Sequence, residues 1–282
     1  TLVYGDSTKG WQSVAAATES DLPKPAFIAA TGGTVTTVCT NFKVHTFTGP
    51  GTFCVSNAGN AAGSNLVDYV VVAGGGGTEN NEGSGGGGAG GYRESSGTAS
   101  GCYSIGLPAN SGVSALTIPS ATGYPVTVGA GGTAGTGTSC ISGTCAAATQ
   151  GSNSIFSSIT STGGGKGGRG NSPNNPSATP LLTGGNGGSG GGAGGRQRCT
   201  PSPGPAAPGG SGNTPSVSPS QGNNGGDGMS VVTPSNDRGG GGGGASAVGV
   251  TPPGASPVPA GNGGAGATSS INGTPTARAG GG

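Results

Sequence analysis

Charged side chains are scarce in this chain: they make up 7% of its 282 residues, and the formal charge is only +1. Ten Lys and Arg against nine Asp and Glu cannot neutralise a phosphate backbone, which excludes nucleic acid as a main partner. Large apolar residues are thin as well. Leu, Ile, Val and Phe number 38, below the roughly 20% at which a chain can bury a full-sized core. No apolar run approaches the roughly 18 residues of a membrane-spanning helix, the longest being Tyr69 to Ala73, so membrane insertion is not expected. The N-terminus lacks the basic segment and apolar core of an export signal. Because the chain opens on Thr1 and stops at Gly282 inside a glycine tract, we expect it to be processed or excerpted from something longer.

Helix signals are missing too. No segment shows a 3.6-residue apolar period or the Ala/Leu/Glu/Lys content that favours a helix. Catalytic patterns are equally absent. The acids Asp6, Glu19, Asp21, Asp68, Glu79, Glu82, Glu94, Asp227 and Asp237 fall mostly in loop contexts, and no pair of them is built into a core as glycoside hydrolysis requires. The single histidine, His45, sits in strand texture with no nucleophile elbow nearby, and we read it as structural. There is no C-x-x-C pair, and no G-x-G-x-x-G match opens a helix. We therefore expect no catalytic residues, cofactor or metal.

What the chain has is glycine, 70 residues of it, with 21 prolines. Of the 38 large apolar residues 29 lie in the first 160 positions, whereas 39 glycines and 15 prolines lie beyond them. Three regions follow: a leader and linker over 1–30, a β-rich region over 31–160 with the first glycine tracts, and a glycine/proline-rich region over 161–282. In the β-rich region the turn signal Gly49-Pro50-Gly51 separates two β-branched runs, predicting strand, turn, strand. Val67 to Ala73 reads as one strand buried on both faces. Shorter strands are expected at Val113–Ile118, Tyr124–Val128 and Ser154–Ile159.

Glycine tracts recur at 74–77, 83–91, 129–132, 163–170, 184–195, 225–228, 239–244, 261–266 and 280–282. Such tracts are flexible linkers in most chains. The alternative is polyglycine II, a left-handed helix of three residues per turn and about 3.1 Å rise, whose bare backbones pack side by side. The phase of the tracts favours packing: in Gly184-Gly-Asn-Gly-Gly-Ser-Gly-Gly-Gly the side chains recur at every third position. Collagen is excluded because up to six glycines run in succession. The fold class expected is mainly β with no helix, a small disulfide-supported β region followed by a polyglycine II bundle.

The six cysteines, Cys39, Cys54, Cys102, Cys140, Cys145 and Cys199, suit disulfide staples in a chain with so thin a core. Cys39 and Cys54 flank the expected hairpin and Cys140 and Cys145 close a small loop, which leaves Cys102 to pair with Cys199. The glycine-rich half carries Lys166, Arg169, Arg196, Arg198, Arg238 and Arg278 against Asp227 and Asp237. These cations either solubilise a bare backbone surface or meet phosphates or acidic sugars at a cell surface.

The run Phe47-Thr-Gly-Pro-Gly-Thr-Phe53, then Val67-Asp-Tyr-Val-Val-Val-Ala-Gly-Gly-Gly-Gly77, Gly87-Gly-Ala-Gly-Gly-Tyr-Arg93, Val126-Thr-Val-Gly-Ala-Gly-Gly132 and Gly151-Ser-Asn-Ser-Ile-Phe156, resembles the glycine-rich domain of tailed-bacteriophage tail fibres and other virion appendage proteins. The resemblance covers about residues 30 to 282. It implies a non-enzymatic, extracellular virion component that presents receptor-binding loops on stacked polyglycine II helices. Other fibre proteins and a host surface glycan or outer-membrane protein are the implied partners, with a homotrimer by analogy. Receptor contacts are expected at Tyr92, Arg93, Arg169, Arg196, Arg198 and Arg238. Two other readings remain open: a homopolymeric extracellular filament assembled by strand exchange, and a glycan- or ice-binding glycine-rich protein.

Overall fold

The computed structural model describes residues 2–4, 7–8, 11–13, 23–136, 146–170, 182–197, 206–231, 238–253 and 259–282. Its strands, in chain order, are β1 (Leu2–Tyr4), β2 (Trp11–Ser13), β3 (Ile28–Thr31), β4 (Thr34–Val38), β5 (Phe42–Thr46), β6 (Gly51–Ala58), β7 (Leu66–Val67), β8 (Val70–Val72) and β9 (Tyr92–Glu94). There follow β10 (Leu116–Thr117), β11 (Gly123–Thr127), β12 (Ser154–Phe156), β13 (Ile159–Ser161), β14 (Arg196–Gln197), β15 (Ser230–Val231), β16 (Ala267–Ser269) and β17 (Thr276–Arg278). The chain is mainly β, with a 3-10 turn at Pro108–Asn110. Among the described residues no helix is long and apolar enough to cross a membrane.

The β region is built on an antiparallel sheet of five strands in the order β13-β12-β11-β6-β3. In β6 the alternation is strict: Phe53 and Val55 are buried while Thr52, Cys54 and Ser56 are exposed, the period-2 signature of a half-buried strand. Phe53, Val55 and Ile118 form the core there, with Phe47, Tyr124 and Phe156 packed around them. Phe53 meets Phe156 edge to face at 5.8 Å and His45 at 5.0 Å, and His45 Nδ1 lies 2.8 Å from the Gly32 carbonyl, so the histidine is a packed and bonded core-edge residue.

Three strand expectations are corrected. The expected pairing across Gly49-Pro50-Gly51 does not form. Instead the first run folds on itself as the β4–β5 hairpin, turning at Cys39 and Thr40, which hold φ values of 45° and 67°, and β6 pairs with β3 and β11. Val67–Ala73 is likewise two short strands. The Asp68 carboxylate between them accepts from the Ser95 hydroxyl at 2.8 Å and from the Ser100 N–H and hydroxyl at 3.0 and 2.9 Å, bonds that break the strand. The strands expected near 116 and 124 are present as β10 and β11, whereas Ser154–Ile159, expected as one strand, turns at Ser157 with φ 52° and forms the β12–β13 hairpin.

The hairpin correction also changes the disulfide. Cys39 bonds to Cys102, with Cα atoms 6.3 Å apart, and Cys54 is a free, exposed thiol, so the expected Cys39–Cys54 and Cys102–Cys199 pairs are both overturned. Cys39 sits on the hairpin tip and Cys54 points outward from a different sheet, which keeps the two apart. Cys140, Cys145 and Cys199 lie outside the described residues.

Beyond the strands, the glycine tracts bond laterally to one another, and the partners change with a period of three. Ala73 and Gly76 donate to Gly91 and Gly88 of one tract, whereas Gly74 and Gly77 donate to Ser152 and Thr149 of another. Gly75 and Thr78 accept from Gly132 and Gly135 of a third. Further along, Gly85, Gly88 and Gly91 donate to Gly168, Gly165 and Thr162, while Gly86 and Ala89 donate to Gly240 and Gly243. The tract 187–195 is bonded to six segments: 83–89, 163–168, 182–185, 210–214, 223–226 and 240–243. These tracts are therefore ordered parts of the fold and not free linkers.

Glycine is required in them for space, not for backbone conformation. Gly165 and Gly192 do not have positive φ, yet a Cβ on Gly165 would overlap the Gly185 carbonyl and one on Gly192 the Gly240 carbonyl. Where a side chain does enter, it replaces a missing backbone partner. Buried Gln221 accepts from Thr162 N–H at 2.8 Å and donates to the Pro215 carbonyl at 3.0 Å. A small apolar cluster, Leu182, Ala193 and Ala207, is set among the tracts.

Candidate functional site

The hydrogen-bond registers fix the direction of every tract. Tract 85–91 runs antiparallel to 73–77, 162–168 and 189–195, and parallel to 240–243. Tract 223–229 runs parallel to 190–193 and antiparallel to 207–210 and 238–244, and 247–250 runs antiparallel to 241–244. Tract 261–264 lies parallel to 239–242, and 130–136 antiparallel to 146–152.

From these directions the ends of the bundle are distinct. The described tract ends that border 78–84, 137–145, 171–181, 198–205, 232–237 and 254–258 all lie at one end. The other end carries the β12–β13 and β16–β17 hairpins, β8 and β9, and the compact turns 185–188, 213–221 and 245–247. The sequence places nearly every long Pro/Ser/Thr/Asn-rich segment between two tracts. It does not show that they share an end, because that depends on which tracts are parallel.

At the loop-bearing end the structure gathers three of the expected receptor-contact residues around Gly194 and Gly195. A Cβ on Gly194 would overlap the Arg169 carbonyl, and one on Gly195 would crowd the Arg238 backbone. Arg196 follows directly in β14, which pairs in parallel with β15. Met229 N–H donates to the Arg238 carbonyl at 2.9 Å, so 229 and 238 close the neighbouring crossover. Arg169 and Arg238 are half-buried. Arg198 lies outside the described residues.

Thr78–Ser84, which sequence reasoning does not single out as a site, joins the same cluster. Gly195 N–H donates to the Gly83 carbonyl at 2.7 Å, Gly170 N–H to Ser84 Oγ at 3.2 Å, and Ala148 N–H to Glu79 Oε1 at 2.9 Å. Its signal in the sequence is a pair of acids, Glu79 and Glu82, in a chain nearly without them. The loop-bearing end thus carries Arg169 and Arg238 together with Glu79 and Glu82 among the described residues.

Tyr92 and Arg93 belong to the opposite end. Tyr92 is 1% exposed and packs with Leu107, Ala245 and Ala267, so it is a core residue and not a surface contact. Burial, and then the neighbouring Glu94 charge, push its hydroxyl above its ordinary value of 10.0. Tyr103, bonded to Ser95, is raised for the same first reason. Arg93 is half-buried in β9 opposite Val71. Comparison with known proteins finds no family model, no curated protein and no solved structure that matches this chain.

Proposed function

We propose that this chain is a non-enzymatic structural and adhesive module of a phage tail fibre or virion appendage: a polyglycine II bundle that holds receptor-binding loops at one end and a β-sheet region at the other. The three-residue recurrence of bonding partners supports the polyglycine II reading, since a threefold screw turns one residue in three toward each neighbour. The absence of room for a Cβ along the tracts supports close backbone packing.

The observation that carries the adhesive reading is the segregation of the ends. The described tract ends that flank 78–84, 137–145, 171–181, 198–205, 232–237 and 254–258 lie at one end of a hydrogen-bonded scaffold, so a ligand bound there costs little ordering of the scaffold. Their Ser, Thr, Asn and Arg content suits hydrogen bonding to a host surface glycan or an acidic outer-membrane loop. The β-sheet end, which follows the leader in sequence, then faces the other fibre proteins.

The test is cell binding by end-specific variants. The fluorescently labelled chain is applied to a panel of bacterial strains, and each of 171–181, 198–205 and 213–221 is replaced in turn by a Gly/Ser segment of equal length. Loss of binding with 171–181 or 198–205, and its retention with 213–221, is the expected result. Retention with both loop-end replacements, or loss only with 213–221, contradicts the assignment.

A further inference from the structure

One glycine tract has an unpaired face among the described residues. Tract 187–195 is bonded to six segments, but tract 85–91 is bonded to five: 73–77, 162–168, 189–195, 240–243 and Gly282. Its N–H groups at 85, 88 and 91 face one neighbour and those at 86 and 89 another; those of Gly87 and Gly90, three residues apart, have no hydrogen-bond partner among the described residues. Across from them the carbonyls of Ala73 and Gly76, also three apart, receive no N–H from the described residues. All four residues line one open groove of about 330 Å³, which Ala279–Gly282 bounds on its far side.

Two glycines of this groove have no steric reason among the described residues. A Cβ on Gly75 meets nothing closer than the Gly88 carbonyl at 3.6 Å, and one on Gly280 nothing closer than Gly266 N at 3.9 Å. At most other tract positions, Gly165 and Gly192 among them, a Cβ overlaps a neighbouring backbone, so at Gly75 and Gly280 a packed neighbour is what is missing.

We propose that the groove takes a glycine-rich segment of another polypeptide, added in trans as one more helix of the bundle. The inference rests on the polyglycine II reading. Gly87 and Gly90 N–H donate to carbonyls three apart on the incoming segment, whose own amides three apart donate to Ala73 and Gly76. Glycine is required on the faces turned to the walls, and side chains are accepted only on the face turned to solvent, which specifies a Gly-Gly-X repeat. This is the counterpart, for a threefold helix, of strand addition to a sheet edge.

The test uses the full chain and a fluorescent peptide copying its residues 184–195. A control peptide carries alanine at the positions of Gly187, Gly188, Gly190 and Gly191, which puts a Cβ on two of the three faces. Saturable binding of the first peptide, slowed exchange of the Gly87 and Gly90 amides on binding, and at least ~tenfold weaker binding by the control are expected. Gly75→Val with Gly280→Val fills the groove and lowers affinity by a similar factor with thermal stability unchanged. If the valines impair folding, the alanine pair replaces them. No saturable binding, equal binding of the control, or full binding by a folded groove-filled variant overturns the proposal. Protection of the Gly165 and Gly192 amides without peptide tells failure of the groove apart from failure of the bundle.

Discussion

Gly165 and Gly75 differ only in what stands where a Cβ would go. At Gly165 it is the Gly185 carbonyl; at Gly75 it is open groove. Gly165→Ala is therefore expected to destabilise by about 3 kcal/mol, because overpacking against backbone has no rotamer to relax into. Gly75→Ala, at a φ that alanine adopts freely, is expected within about 0.5 kcal/mol of the parent. Urea denaturation of both variants separates the two cases, and equal losses would mean the tract contacts are not tight. Tyrosine protonation gives a second prediction at this scale. Tyr92 and Tyr103 have folded values raised above 10.0, so the protonated folded state is favoured. Their contribution is full below pH 10 and is lost as pH rises through the folded values. Stability should decline above about pH 10, and less steeply in a Tyr92→Phe, Tyr103→Phe double variant; identical alkaline slopes would remove these two residues from the account.

A glycine tract behaves as an element with a phase. Inserting one glycine after Gly192 turns Ala193, Gly194 and Gly195 by a third of a turn away from Gly226, Leu182 and Gly83, to which they now donate. Inserting three keeps the faces and adds about 9 Å toward the loop-bearing end. The single insertion should cost more in thermal stability than the triple one, and the opposite order would contradict a threefold period. That period was legible in the sequence as the three-residue spacing of Asn186 and Ser189, and the buried alternation of β6 as its β-branched texture. The break at Asp68 was not legible, because it depends on Ser95 and Ser100, about thirty residues away in sequence. Nor was the disulfide, since the position of Cys39 on a hairpin tip follows from a turn at Cys39 and Thr40 that carries neither glycine nor proline.

At the scale of the whole molecule, a chain with few large apolar residues is organised by backbone hydrogen bonds between tracts, with small apolar clusters in the sheet and beside the tracts. Ordering each glycine is costly, and the lateral bonds between tracts offset that cost at about 1 kcal/mol net each. That the described tract ends flanking the longer connections share one end follows from the alternation of tract directions. Sequence could not give it, because parallel and antiparallel neighbours look alike in composition. The central claim is that the tracts are laterally bonded, and residue-resolved amide exchange of the full chain tests it most directly. The account predicts slow exchange on all three faces of 188–195, comparable to Val55 and Tyr124 in the sheet, with fast exchange confined in 85–91 to Gly87 and Gly90. Free-peptide rates throughout 163–168 and 188–195 would contradict it.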